Sequence, residues 1–140
     1  SQSKLITVVS GTIFDVALDL RLQSPTYGKF ETFILSEKSA DYPSQIYLPE
    51  GIAHGFATPD GDATIAYLVS SPWRPEFEKT VAWDDPDLAI PWPVTNPNIS
   101  EKDATGTAFH KLAKSNHPRR LKRYIDHKYT KVPNVNTTHN

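Results

Sequence analysis

Cysteine and methionine are both missing from this 140-residue chain. Without thiols there is no disulfide, no thiolate metal site and no cysteine nucleophile. That suits a reducing compartment, and a cytoplasmic protein is expected. The chain opens on Ser1 rather than Met, so a trimmed product or a piece of a longer one is expected. Long apolar runs are missing too. Nothing approaches the roughly 18 residues of a membrane span, and no charged-then-apolar leader opens the chain, so no membrane partner is expected. Histidine is sparse in the body: His110, His117, His127 and His139 lie toward the C-terminus, which leaves His54 alone, with no His-x-His pair. A metal centre of two or three histidines plus a carboxylate on adjacent strands is therefore not expected.

Charge of one sign is scarce in each part of the chain. The formal net charge is −1, yet residues 1–110 hold 7 Lys/Arg against 15 Asp/Glu, and residues 111–140 hold 8 against the single Asp126. A basic tail can touch nucleic acid. This one carries no recognisable nucleic-acid motif, and it reads as a solvated segment that packs on its own acidic body or on a sister subunit.

What is present is a strand-rich pattern. Twelve prolines and frequent Gly, Asn, Asp and Ser clusters punctuate the chain. Between them lie short runs rich in Val, Ile, Phe, Tyr and Thr, at the spacing of a sandwich or barrel. The runs predict strands over 4–9, 12–21, 30–36, 45–48, 53–57, 63–70 and 79–83. Ser24–Gly28 and Asp60–Asp62 read as turns. Ser100 followed by Asp103 reads as a helix start, with one short helix over 103–114 and a second over 118–127. At this length one domain is expected, divided into an all-β body over 1–103, a helical segment over 104–130 and a flexible tail over 131–140.

Three residues invite a chemical reading. His54 lies in Gly51-Ile52-Ala53-His54-Gly55-Phe56, where small neighbours let a ligand approach, and its ring titrates near working pH. In 12–21, Phe14, Val16 and Leu18 alternate with Asp15, Ala17 and Asp19. On periodicity alone the polar face meets water. In a barrel it lines an interior pocket, and a buried Asp15 then needs a partner, for which His54 is the candidate. Tyr67, mid-strand, reads as a core aromatic or as an acid facing His54 with a ligand between them. Trp92, between two prolines, reads as a packing anchor. Trp73 can stack on a planar base, an interaction worth roughly 1–3 kcal/mol.

Taken in order, several segments resemble the dTDP-4-dehydrorhamnose 3,5-epimerase family. They are Lys4-Leu5-Ile6-Thr7-Val8-Val9-Ser10-Gly11, Phe14-Asp15-Val16-Ala17-Leu18-Asp19-Leu20-Arg21, Ser24-Pro25-Thr26-Tyr27-Gly28, Gly51-Ile52-Ala53-His54-Gly55-Phe56, Trp83-Asp84-Asp85-Pro86, Trp92-Pro93 and Ser100-Glu101-Lys102-Asp103. The resemblance implies an all-β double-stranded β-helix (a cupin-like jelly roll) with a short C-terminal helical tail, assembled as a homodimer, with no cofactor and no metal. It implies a dTDP-linked sugar as ligand and epimerisation at C3, C5 or both of a dTDP-4-keto-6-deoxyhexose, in rhamnose-type deoxysugar biosynthesis. Tyr67 matches the family's proton donor, and His54 lines the site with Asp15 as its partner. Lys4, Glu78 and Lys102 match substrate contacts, and Trp73 falls where a tyrosine stacks on thymine. Asp103 matches the carboxylate that orients the catalytic base. Arg21, with Lys4 and Lys102, is a candidate for the diphosphate.

The family's base is a histidine in an Arg-Gly-Leu-His segment shortly before the position of Lys4, and this sequence begins only three residues ahead of Lys4. A fragment of a longer epimerase is expected. The alternatives are a short homologue that binds a sugar nucleotide without catalysis, a chain in which His54 replaces the base, and a metal-dependent cupin.

Overall fold

A computed structural model describes residues 2–72 and 78–115. Six strands form its body: β1 (Lys4–Ser10), β2 (Thr12–Asp19), β3 (Phe30–Ser36), β4 (Gln45–Leu48), β5 (Ile52–Ala57) and β6 (Thr64–Val69). They make two antiparallel three-stranded sheets, ordered β4-β1-β6 and β3-β2-β5. Gly11 alone connects β1 in one sheet to β2 in the other. It does so at φ 88°, and a Cβ there would stand 2.7 Å from the Asp62 carbonyl. Only glycine meets both conditions without strain.

The core lies between the sheets. Ile6 and Val8 of β1, Ile13 and Ala17 of β2, Leu35, Ile46, Leu48 and Ile52 form one buried cluster. The face of β2 that carries Asp15 and Asp19 is this inner face, and both carboxylates are fully buried. The expectation of a water-facing polar side is therefore corrected. The opposite face is covered as well: Val16 and Leu18 are buried, and the Trp92 ring stands edge-on to Phe14 with centroids 5.9 Å apart.

The predicted strand over 79–83 is corrected to a single parallel bridge between Val81 and Thr107. Its partner segment offers one paired residue before it turns into a helix. The predicted helix over 103–114 is two pieces, α1 (Glu101–Ala104) and α2 (Phe109–Ser115). The break comes because Thr107 pairs its N–H and C=O with Thr80 and Ala82. Ser100 caps α1 as expected, accepting the Asp103 N–H. Buried Asp85 accepts N–H groups from Asp87, Leu88 and Phe109, which ties the coil to the start of α2. Residues 118–127 lie outside the described residues.

Asp19 ends β2 as a clamp. Its carboxylate accepts from Arg21 Nε at 2.9 Å, Arg21 Nη2 at 2.7 Å, and the hydroxyls of Ser24 and Thr26 at 2.6 Å each. Burial pushes the carboxyl up, but the bonds from Arg21, Ser24 and Thr26 together outweigh it and hold it well below the usual range. A depressed carboxyl contributes stability that is present above its unfolded value, near pH 4, and lost as pH falls toward the folded one. Burial pushes Asp85 up too, but the N–H groups of Phe109, Leu88 and Asp87 outweigh it and hold it below the usual carboxylate value. Asp19→Asn is thus expected to lower stability at pH 7 by about 1–3 kcal/mol. The deficit relative to the wild type should shrink below about pH 4. Urea titrations at pH 7 and pH 3 measure both. An equal deficit at the two pH values would rule out the charge on Asp19 as the cause.

Candidate active site

β5 and β6 are edge strands of their respective sheets among the described residues. Alternation puts Ile52, His54 and Phe56 on the inner face of β5. In the β2 register Ala17 is opposite His54 and Asp15 opposite Phe56, so the imidazole reaches Asp15 diagonally. His54 Nε2 lies 2.6 Å from Asp15 Oδ2, with both side chains buried. A carboxylate oxygen accepts, so Nε2 carries the proton of this bond and Nδ1 is left facing away from Asp15. Asp15 Oδ1 has no hydrogen-bond partner among the described residues.

Tyr67 comes from the other sheet. Its ring packs edge-on against His54, with centroids 6.0 Å apart and planes at 72°. Burial first, and then the negative charge of Asp15, push its phenol up to about 12. It is an acid that keeps its proton at any ordinary working pH. Phe56 stacks on the imidazole, with centroids 5.9 Å apart and planes at 26°.

The spacing corrects one expectation. Rings 6.0 Å apart leave no room for a pyranose between them; what His54, Tyr67 and Phe56 present together is a surface. That surface is open: Tyr67 is 43% and Phe56 42% exposed, because each sits on an edge strand. Two hollows of about 330 and 310 Å³ are lined by the Trp83–Val94 coil and by residues around Val8 and Ser36–Ser44. Neither takes in His54 or Tyr67.

The remaining candidates fall into separate places. Lys4 shares the inner face of β1 with Ile6, which pairs with Tyr67, so it stands one step along the sheet from the phenol. Glu78 and Lys102 pair with each other at 2.6 Å on the surface. Asp103 is exposed at the start of α1, where it accepts the Ser100 hydroxyl at 2.8 Å, and it makes no hydrogen bond to the His54 group. Arg21 pairs with Asp19, a buried carboxylate that cannot do without a counter-charge. Trp73 lies outside the described residues. Among those described, no three His, Cys, Asp or Glu side chains gather closely enough to hold a metal.

Phe56 was missed, although its two-residue spacing from His54 puts it on the same face of a strand. The anchor Trp92 has a second contact that the sequence does not announce. A Cβ on Gly55 would lie 3.2 Å from its ring, so the indole backs β5 directly behind the imidazole.

Comparison with known proteins adds the family context. The family model described as dTDP-4-dehydrorhamnose 3,5-epimerase matches residues 1–111. The dTDP-4-dehydrorhamnose 3,5-epimerase of Mycobacterium tuberculosis is 37% identical over 118 residues, covering 82% of this chain and 57% of that protein. The crystal structure of the Bacillus anthracis enzyme of the same name, with TDP and PPi bound, is 43% identical with a TM-score of 0.70 over 77% of this chain and 60% of that one. A dTDP-6-deoxy-D-glucose-3,5-epimerase from Legionella pneumophila, in complex with dTDP-4-keto-L-rhamnose, is 37% identical with a TM-score of 0.76, covering 86% and 63%. The two facing sheets are thus those of a cupin-like jelly roll. The chain spans less than two thirds of the length of these relatives.

Proposed function

Because this chain belongs to the dTDP-4-dehydrorhamnose 3,5-epimerase family, we propose that it serves the epimerisation of a dTDP-4-keto-6-deoxyhexose at C3, C5 or both. The observation that carries the reading is a phenol set edge-on to an imidazole that a buried carboxylate holds in one tautomer.

The 4-keto group acidifies the C–H bonds at C3 and C5. A base takes one of these protons, and the bonding pair moves onto the C4 oxygen as an enolate. The Tyr67 O–H then gives its proton to the opposite face of that carbon, and the phenolate recovers a proton from solvent. Lys4, one step from Tyr67 on the inner face of β1, stabilises the developing oxyanion. His54, fixed by Asp15, positions Tyr67 and lines the sugar site. The resemblance assigns the base to a histidine of an Arg-Gly-Leu-His segment that this sequence does not include, with Asp103 as the carboxylate that orients it. Lys102, held by Glu78, and Trp73 take the nucleotide. The reading carries with it a homodimer in the cytoplasm.

The test is solvent exchange in the full-length protein. Incubation with dTDP-4-keto-6-deoxyglucose in D2O is expected to place deuterium at C3, C5 or both, read by NMR. Binding of the sugar nucleotide without any exchange would support a non-catalytic binding protein instead.

A further inference from the structure

The inner face of β5 grades from core to mouth. Ile52 is buried in the core cluster, the His54 ring is almost wholly covered, and Phe56 is 42% exposed. Phe56 is held from one side. Its ring is stacked on His54, and behind it the strand is backed by Trp92 lying against Gly55. Beside it the group presents a phenol and an imidazole, with Lys4 two residues along β1 from the partner of Tyr67. Among the described residues, Phe56 is therefore the one wholly apolar ring in contact with the His54–Tyr67 pair.

A 4-keto-6-deoxyhexose has a matching asymmetry. Of the two carbons beside the ketone, C3 bears a hydroxyl and C5 bears a methyl. We infer that Phe56 is a specificity-determining residue that reads the substituent on C5, taking a methyl and disfavouring a hydroxymethyl. This rests on the epimerase reading of the site and adds to it the recognition of the 6-deoxy position. A 6-hydroxyl set against the phenyl face loses part of its water and gains no partner there. An enclosed apolar pocket discriminates against an added hydroxyl by about a hundred-fold at most, and a half-exposed face by less, about tenfold.

dTDP-quinovose and dTDP-glucose differ only in the 6-hydroxyl, and neither carries the ketone, so calorimetry reads binding alone. The full-length wild type is expected to bind dTDP-quinovose about tenfold more tightly. Phe56→Leu keeps an apolar surface and should keep the preference. Phe56→Ser should narrow it to within about threefold, chiefly by weakening dTDP-quinovose. Equal affinities in the wild type, loss of the preference in Phe56→Leu, or an unchanged preference in Phe56→Ser would each overturn the inference while leaving the epimerase reading intact. A wild type that binds neither sugar nucleotide would overturn both.

Discussion

Replacing Tyr67 by Phe is expected to slow epimerisation by about 10²- to 10⁴-fold, the range for losing a positioned general acid, while dTDP-sugar affinity stays within about twofold. The substitution deletes one oxygen and keeps the ring that packs on His54, so a folding defect is not the expected cause. The phenol's environment sharpens the forecast. Burial and the Asp15 charge hold its proton until about pH 12, so ionisation of Tyr67 should not set the alkaline limb of a pH–rate profile. The sign of the stability effect follows. A group whose folded value is raised contributes stability that is fully present below its unfolded value, about pH 10, and lost as pH rises toward the folded one. Ultraviolet titration should show one tyrosine ionising late, and that late component should be missing in Tyr67→Phe. A variant that turns over at the wild-type rate would remove Tyr67 from the proton-donor role.

Local patterns were the legible part of this molecule. The strands over 30–36 and 45–48 were read to the residue, and four others to within two residues, because apolar alternation and turn residues bound them on both sides. The run 79–83 has the composition of a strand but only Thr107 to pair with, a tertiary fact. The orientation of β2 was hidden for a related reason. Both of its faces are covered, so the apolar side did not mark the core, and the polar side turned out to be the one that faces it. The Asp15–His54 pair was legible, since a buried carboxylate needs a donor and only one histidine lies in the body. The same logic applied to Asp19 points to Arg21, two residues along the chain, as its counter-charge. The openness of the site was not legible, because it depends on β5 and β6 both being edge strands.

The Asp15–His54 pair should reveal itself most clearly in an asymmetry of stability. His54→Leu fills space similar to the imidazole's but leaves Asp15 fully buried with neither oxygen paired among the described residues. The chain then has two choices. Keeping a bare buried charge costs about 3–5 kcal/mol when a partner is removed. Taking up a proton at pH 7, about three units above where a carboxyl ordinarily titrates, costs about 4 kcal/mol. Either way His54→Leu should lose about 3–5 kcal/mol. In the protonated case the loss should shrink by about 1.4 kcal/mol for each pH unit of acidification until about pH 4. Asp15→Asn is milder. Its amide oxygen can still accept the Nε2 proton, so a charge-assisted bond becomes a neutral one at a cost of about 1 kcal/mol. The double variant Asp15→Asn/His54→Leu has no charge to strand and should be more stable than His54→Leu alone. That gives a coupling of about 1–3 kcal/mol between the two sites. Urea unfolding of the four proteins at pH 7 and pH 5 yields every term. If His54→Leu costs no more than Asp15→Asn, Asp15 is not a buried anion that depends on the imidazole, and His54 loses the physical reason for its fixed tautomer.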